Sequence, residues 1–558
     1  MNTATSDLKR VGDPSSSARA KVIYSFGGYR IDTARFEITN DRQALAVEPQ
    51  VLELLITLID SRDRVVSKDE LFEKVWKGRI VSDTTLASRV KTARQLIGDD
   101  GTRQEYIKTI HGRGFRFIGE VEMETALTAN RDAPKPATFD RPATRYARSG
   151  DVHVAYQVFG QGPINMILAP GYVSHIENYW DCPALARWLG QLGALARIAM
   201  FDKRGTGLSD PVSTLPSMDE RMDDLRAVMD AAKFETAYVM GISEGGSLAA
   251  LFAAHHPARC EGLILYGAFA QFKHWFPDEE SLQRLFDYVE SDWGSGESLK
   301  YYAPTAASDP EMVRWWGKFE RLGATPGACK ALMQMNSRID ITGVLPGIRV
   351  PALVIHRAGD VLVDVDGGRQ LANEIPGARY AELQGDDHLP FVGDADHTIA
   401  VISDFVRQPQ RQLRSDRVVA TIILIHTPAG QAGIAIDQTL RRFRATRVLQ
   451  RPDGIVATFD GPARALECAL SVSRLLREVG QDHRIGVHTG QISVDAEVLE
   501  GTAMDVSSDV AGHAGENEIL VSRTVNDLVA GSGIVLKDRG EFGLPSIEQV
   551  WHLFRVET

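Results

Sequence analysis

The chain reads as a multidomain α/β protein, on three observations. It has 558 residues, enough for about three to five domains of ordinary size. Short apolar runs alternate with amphipathic stretches from 145 to 406, the pattern of a parallel sheet with crossover helices. Two stretches without apolar periodicity flank that segment: 123–144, with Pro134, Pro136 and Pro142, and 407–417, with Gln408-Pro409-Gln410-Arg411-Gln412. Such stretches read as linkers. The expected organisation is a disordered 1–21, a first domain over 22–122, the α/β segment over 145–406 and a smaller α/β segment over 418–558.

Composition bounds the class. Apolar residues make up 44% and charged residues 24%, as in ordinary globular proteins. The net charge of −12 argues against nucleic-acid binding by the chain as a whole, yet residues 82–117 carry seven Lys/Arg against four Asp/Glu, so one local surface can be basic. Cys182, Cys260, Cys329 and Cys468 are scattered without a Cys-x-x-Cys pair and are expected to be free, buried thiols. The first twenty residues lack the apolar core of a signal peptide, and the run from Val418 to Ile425 is far shorter than the roughly 20 residues of a membrane helix. A cytoplasmic protein without cofactor or bound metal is expected.

In the first segment the informative helix runs from Asp83 to Ile97, with Asp83 as its expected cap. Leu86, Val90, Ala93 and Ile97 share one face and form a core stripe. Thr85, Ser88, Arg89 and Thr92 share another face, with short donors and acceptors plus one guanidinium suited to base edges and phosphates. After Gly98, residues 106–117 read as strand, Gly-rich turn and strand, with Arg113 at the tip. The stretches Val47–Leu55, Val66–Trp76 and Gly112-Arg113-Gly114-Phe115 resemble the winged helix-turn-helix output domain of OmpR-type response regulators. The resemblance implies that the 83–97 helix enters a major groove of double-stranded DNA while the wing touches a minor groove. No phospho-receiver pattern precedes it, so control is expected from elsewhere in the chain.

In the central segment Gly241-Ile242-Ser243-Glu244-Gly245 follows the apolar run Ala237–Met240 and precedes the small residues Ser247–Ala250. That is strand, tight turn and helix, with glycines allowing a strained turn that lifts the serine above the sheet. Further apolar strands end at Pro170-Gly171-Tyr172, at Asp202, at Tyr266, at Gly359-Asp360 and before Asp387-His388. Residues 145–406 thereby resemble the α/β-hydrolases, whose chain order of nucleophile, acid and base is met by Ser243, Asp360 and His388. Ser243 is expected to attack a carbonyl, His388 to take its proton and Asp360 to orient the imidazole. The oxyanion donors are expected to be the backbone N–H groups of Tyr172 and Glu244. Asp202, Arg204, Gly205 and Ser209 read as a structural turn and His356 as a core histidine, with Asp364 and Asp366 as alternative acids. Residues 268–346 interrupt the sheet pattern and read as a helical cap. Its aromatics, among them Phe272, Trp275, Phe276, Trp293, Trp315 and Trp316, suit either an apolar substrate or the packing of the cap itself.

The last segment resembles a class III nucleotide cyclase domain along Asp453–Ala465, Arg484–Gly490, Glu518–Ser522 and Asp538–Glu541. The resemblance implies a ferredoxin-like α+β fold and head-to-tail pairing, hence a homodimer. Asp453 meets one metal-carboxylate position, but His426 stands at the other and Asp509 at the arginine position, so cyclase chemistry is expected to be absent. Together the segments read as a transcriptional regulator whose hydrolase domain binds, and cleaves, a small ester-like or lactone-like molecule. The alternative is an esterase whose winged helix only docks or localises it.

Overall fold

The computed structural model describes residues 22–33, 37–40, 43–45, 47–76, 82–110, 112–119, 121–125, 141–276, 278–408, 417–427, 433–452, 454–493, 501–529, 531–547 and 549–557. The expected disordered 1–21 lies outside them. The chain divides into two compact units, one ending at Thr138 and one starting at Phe139.

In the first unit helices Pro49–Asp60, Lys68–Trp76 and Asp83–Leu96 surround one core. Leu86, Val90, Ala93 and Ile97 are all buried in it, as their helical spacing requires. The cap of the third helix is Ser82, not Asp83: Ser82 has extended backbone and its hydroxyl accepts from the Thr85 N–H, the N-cap to N3 geometry. Strands Ile107–Ile110 and Gly114–Phe117 form an antiparallel hairpin, which Val66 and Phe115 pin to the body through a pair of backbone hydrogen bonds. A Cβ on Gly114 would lie 2.0 Å from the Val66 carbonyl oxygen, so only glycine allows that approach. Strand Glu122–Thr125 pairs with Val22–Phe26 and completes a five-stranded sheet, so sheet pairing continues into the stretch expected to be linker.

In the second unit an eight-stranded sheet runs in the order Arg379–Leu383, Ala352–Arg357, Cys260–Tyr266, Ala237–Ile242, Ile164–Ala169, Ala196–Phe201, Val152–Phe159, Arg145–Ser149. The first six are parallel, Val152–Phe159 runs antiparallel to them, and Arg145–Ser149 pairs antiparallel with Val152–Phe159. Strand order reverses between Ile164–Ala169 and Ala237–Ile242, and crevices for ligands open beyond the carboxyl ends of strands at such a switch point. The segment expected to be a helical cap carries helices Glu279–Ser291, Leu299–Tyr302, Pro310–Gly323 and Pro326–Asn336.

The C-terminal part of this unit is a βαββαβ arrangement of Arg417–His426, Gly433–Arg442, Arg447–Arg451, Gly454–Phe459, Pro462–Glu478 and Arg484–Ser493, extended by three more strands. It is joined to the hydrolase part along helix Met218–Ala231. Arg464 pairs with Asp223 at 2.6 Å, the Arg464 N–H donates to Asp219 at 2.9 Å, and Arg226 pairs with Asp460 at 3.0 Å. Gly461 packs so closely here that a Cβ would fall 2.2 Å from the Asp219 carboxyl carbon. Gly461→Ala is therefore expected to cost about 1–3 kcal/mol of stability by overpacking. A lowered thermal midpoint, with the room-temperature circular dichroism spectrum unchanged, is the result to look for.

Candidate active site

The Ser243 turn sits at the carboxyl end of a central strand, and close backbone approach explains its glycines. A Cβ on Gly241 would lie 2.5 Å from the Gly245 carbonyl oxygen, and one on Gly245 would lie 2.3 Å from that of Pro170. Between them Ser243 is held at φ +56°, a left-handed conformation that costs a non-glycine residue about 1–3 kcal/mol and persists only where its surroundings enforce it. The surroundings are explicit: the Ser243 N–H donates to Tyr266 O, and Ser243 O accepts from Gly246 N, both at 2.9 Å.

His388 follows the edge strand Arg379–Leu383. Its backbone N–H donates at 2.8 Å to the carbonyl of Tyr302 in the cap, and its ring lies 6.2 Å from the Tyr302 ring. Gly267, at φ +55°, makes room for the imidazole, since a Cβ there would come 2.8 Å from its Cε1. His388 Nδ1 lies 2.7 Å from Asp360 Oδ2, and both side chains are fully buried. The other Asp360 oxygen accepts from the N–H groups of Leu362 and Val363 at 2.9 and 3.0 Å. Burial alone would push the Asp360 carboxyl up. The neighbouring His388 and His356 imidazoles outweigh that and hold it well below the usual carboxylate range. Asp360 thus stays ionised and fixes the His388 tautomer with Nδ1 protonated, leaving Nε2 to accept a proton.

His388 Nε2 is buried without a hydrogen-bond partner among the described residues, and His388 and Ser243 line the same cavity. No direct hydrogen bond joins the two; contacts of this kind tighten once the reacting group is in place. The loop from Pro170 to Tyr172 runs against Ser243: Ala169 pairs with Gly241 across the strands, and a Cβ on Gly171 would lie 3.7 Å from that of Ser243. Among the described residues neither the Tyr172 nor the Glu244 N–H donates to the backbone.

The cavity measures about 120 Å³ and is lined by Tyr172, Val173, Trp188, Leu189, Trp315, Phe319 and Phe391. Trp315 and Trp316 of the cap reach it, while Phe272, Trp275, Phe276 and Trp293 pack elsewhere in the surrounding core. Leu185, Trp188 and Leu189, from helix Pro183–Leu195, were not anticipated as lining residues. Their helical spacing was visible in the sequence, but which face meets the cavity was not.

The residues read as structural have structural partners. Asp202 accepts from the N–H groups of Ile176 and Leu208, and the Ser209 hydroxyl donates to the Asp202 carbonyl at 2.6 Å. Arg204 makes a two-pronged pair with Asp224, and Gly205 holds its turn at φ +78°. His356 is buried and donates from Nε2 to Val363 O at 3.0 Å. Of the alternative acids, Asp364 caps helix Val365–Glu374 and Asp366 pairs with Arg369.

On the 83–96 helix Ser88 is exposed, and Thr85 and Thr92 are half-buried. Thr92 donates to the Ser88 carbonyl at 3.1 Å. The Arg89 guanidinium, expected on the DNA-facing surface, pairs with Glu48 at 2.5 Å, at the start of helix Pro49–Asp60. Arg113 is exposed in the wing turn, and exposed Lys91 and Lys108 add cationic positions that the helical-face reading passed over. In the C-terminal part His426 ends a strand, the Asp509 carboxylate accepts from the Ser546 N–H and hydroxyl, and Asp453 lies outside the described residues.

Comparison with known proteins places these parts. The family described as serine aminopeptidase, S33, matches residues 164–389, and that described as transcriptional regulatory protein, C terminal, matches residues 42–117. RutD of Caulobacter sp. (strain K31), named for carbamate hydrolysis, is 30% identical over 216 residues, 34% of this chain and 74% of that protein. The pimeloyl-(acyl-carrier protein) methyl ester esterase of Nitrosospira multiformis is 26% identical over 275 residues, 46% of this chain and 100% of the esterase. The transcriptional regulatory protein YvrH of Bacillus subtilis is 29% identical over 109 residues, 19% of this chain and 46% of YvrH. No helix among the described residues is long and apolar enough to cross a membrane. The chain belongs to the α/β-hydrolase family and carries a transcriptional-regulator domain on the same polypeptide.

Proposed function

We propose that the protein is a DNA-binding transcriptional regulator of the cytoplasm whose hydrolase domain binds and cleaves a small ester-like or lactone-like molecule. The observation that carries the reading is the buried 2.7 Å pair of His388 and Asp360 in one cavity with Ser243 on a strained turn. Ser243 Oγ attacks the carbonyl carbon while His388 Nε2 takes its proton, and Asp360 stabilises the imidazolium. The N–H groups of Tyr172 and Glu244 receive the tetrahedral oxyanion. Collapse expels the alcohol, which takes the proton from His388, and water repeats the sequence on the acyl-enzyme. A cavity of about 120 Å³ is slightly smaller than the roughly 150 Å³ that holds a benzene ring in an engineered core. It therefore suits a short acyl chain or a single ring. Relatives named for ester and carbamate hydrolysis support the same reaction class.

The winged-helix part supplies the second half of the reading. Ser88, Thr85, Thr92 and Arg89 face a major groove, Arg113 reaches an adjacent backbone, and Arg89 leaves Glu48 for a phosphate or guanine. Arg89→Ala with Arg113→Ala is expected to weaken duplex binding at least about tenfold and to reduce the slope of log affinity against log salt by about 2. Fluorescence anisotropy on the native promoter at several salt concentrations measures both. The βαββαβ order of the C-terminal part supports a cyclase-like domain; His426 and Asp509 at the carboxylate and arginine positions argue against cyclase chemistry, and pairing of such domains gives a homodimer and two half-sites. Ligand and DNA are coupled only if the ligand prefers one DNA-binding state. Unchanged promoter affinity on adding a slowly cleaved ester to Ser243→Ala protein favours the docking alternative.

A further inference from the structure

The residue after the nucleophile carries more than a backbone donor. The Glu244 side chain is completely buried and clamped between Lys203 Nζ and Arg221 Nη1, the latter at 2.5 Å. Lys203 and Arg221 are themselves 2% and 1% exposed. Lys203 comes from the turn after strand Ala196–Phe201, and Arg221 from helix Met218–Ala231. Three buried charges are a poor way to stabilise a core, because desolvation offsets their attraction and apolar side chains of equal volume do as well. Two cations around one carboxylate also leave one positive charge in excess. Arg221 Nε has no partner among the described residues, and its Nη2 lies 3.2 Å from the Met335 sulfur.

We infer that the Lys203–Glu244–Arg221 cluster is an electrostatic positioning device, which holds the Glu244 amide on the oxyanion and places an uncompensated buried positive charge behind it. The inference rests on Ser243 being the nucleophile. The charge acts only where negative charge develops, so it favours the transition state over bound substrate. At an effective interior dielectric of about 20, a unit charge about 6–12 Å from a developing one is worth about one to two orders of magnitude in rate. Burial, and then the neighbouring Arg221, push the Lys203 ammonium down to about 8 against the opposing pull of Glu244. The groups facing it are Glu244 on the nucleophile turn and Arg221 on the adjacent helix. Deprotonation removes the excess charge as pH rises through that value.

The test compares the full-length wild type with Lys203→Met. Readouts are p-nitrophenyl acetate kinetics from neutral to alkaline pH and inhibition by phenylboronic acid, which forms a tetrahedral anion on the serine. The wild type is expected to lose kcat/KM above about pH 8, following the ammonium. Lys203→Met is expected to lower kcat at least about tenfold at neutral pH, to leave KM within about twofold, to weaken the boronate by the same factor as kcat/KM, and to lack the alkaline fall. A variant folded by circular dichroism that keeps wild-type kcat, boronate affinity and alkaline fall overturns the inference alone. Should the variant not fold, the wild-type profile decides: a flat alkaline limb overturns the inference. A wild type that neither hydrolyses ester nor binds boronate overturns the hydrolase reading, and this inference with it.

Discussion

Ser243→Ala is expected to lower kcat/KM for short p-nitrophenyl esters by about four to six orders of magnitude, to the residue of rate that binding and oxyanion donors sustain without a nucleophile. The loss is this large because the remaining parts act as a unit: His388 has no proton to take, and no acyl-enzyme forms. The turn itself is expected to survive. The φ of +56° at position 243 is imposed by the hydrogen bonds to Tyr266 and Gly246, which are backbone contacts that alanine keeps. Circular dichroism and thermal midpoint close to wild type, beside the collapsed rate, are the expected pair of results. Retained hydrolysis would place the nucleophile elsewhere.

Asp360→Asn is expected to cost about four orders of magnitude in kcat, through a change of tautomer and not of shape. The amide fits the same space and its oxygen can still accept from Leu362 and Val363. Its NH2 then faces His388 Nδ1, now obliged to accept, so the ring proton moves to Nε2, where it cannot take the proton of Ser243. His356 Nε2 lies 3.5 Å from Asp360 Oδ2, the oxygen that faces His388, but is committed to the Val363 carbonyl, so it does not replace the lost acceptor. The check is kcat and KM side by side, with kcat falling and KM nearly unchanged.

The hydrolase sheet was legible because its inner parallel strands are apolar runs ending in turn signals, whereas the edge strand Arg379–Leu383 is mostly polar and exposed; chain order then pointed to Ser243, Asp360 and His388. The helical stripe of Leu86, Val90, Ala93 and Ile97 was legible for the same local reason. What escaped depends on contacts distant in sequence. Lys203 and Arg221 meet Glu244 across separations of 41 and 23 residues, with no periodicity linking them. Glu48 claims Arg89 across the helix-turn-helix. Strand Glu122–Thr125 pairs with Val22–Phe26 from the opposite end of the first domain's sequence. Ser82 displaces Asp83 as the cap because two good capping residues stand side by side, and only the backbone conformation decides between them.

The central claim is that Ser243 is a nucleophile activated by His388 in a small apolar cavity. Reaction with a small alkyl fluorophosphonate tests it most directly, since phosphorus bonds to the serine oxygen as fluoride leaves and the proton passes to the imidazole. Intact-mass and peptide mass spectrometry are expected to show a single adduct on Ser243, absent in Ser243→Ala and formed far more slowly in Asp360→Asn. A wild-type chain that takes no adduct, or takes it on another residue, would contradict the account.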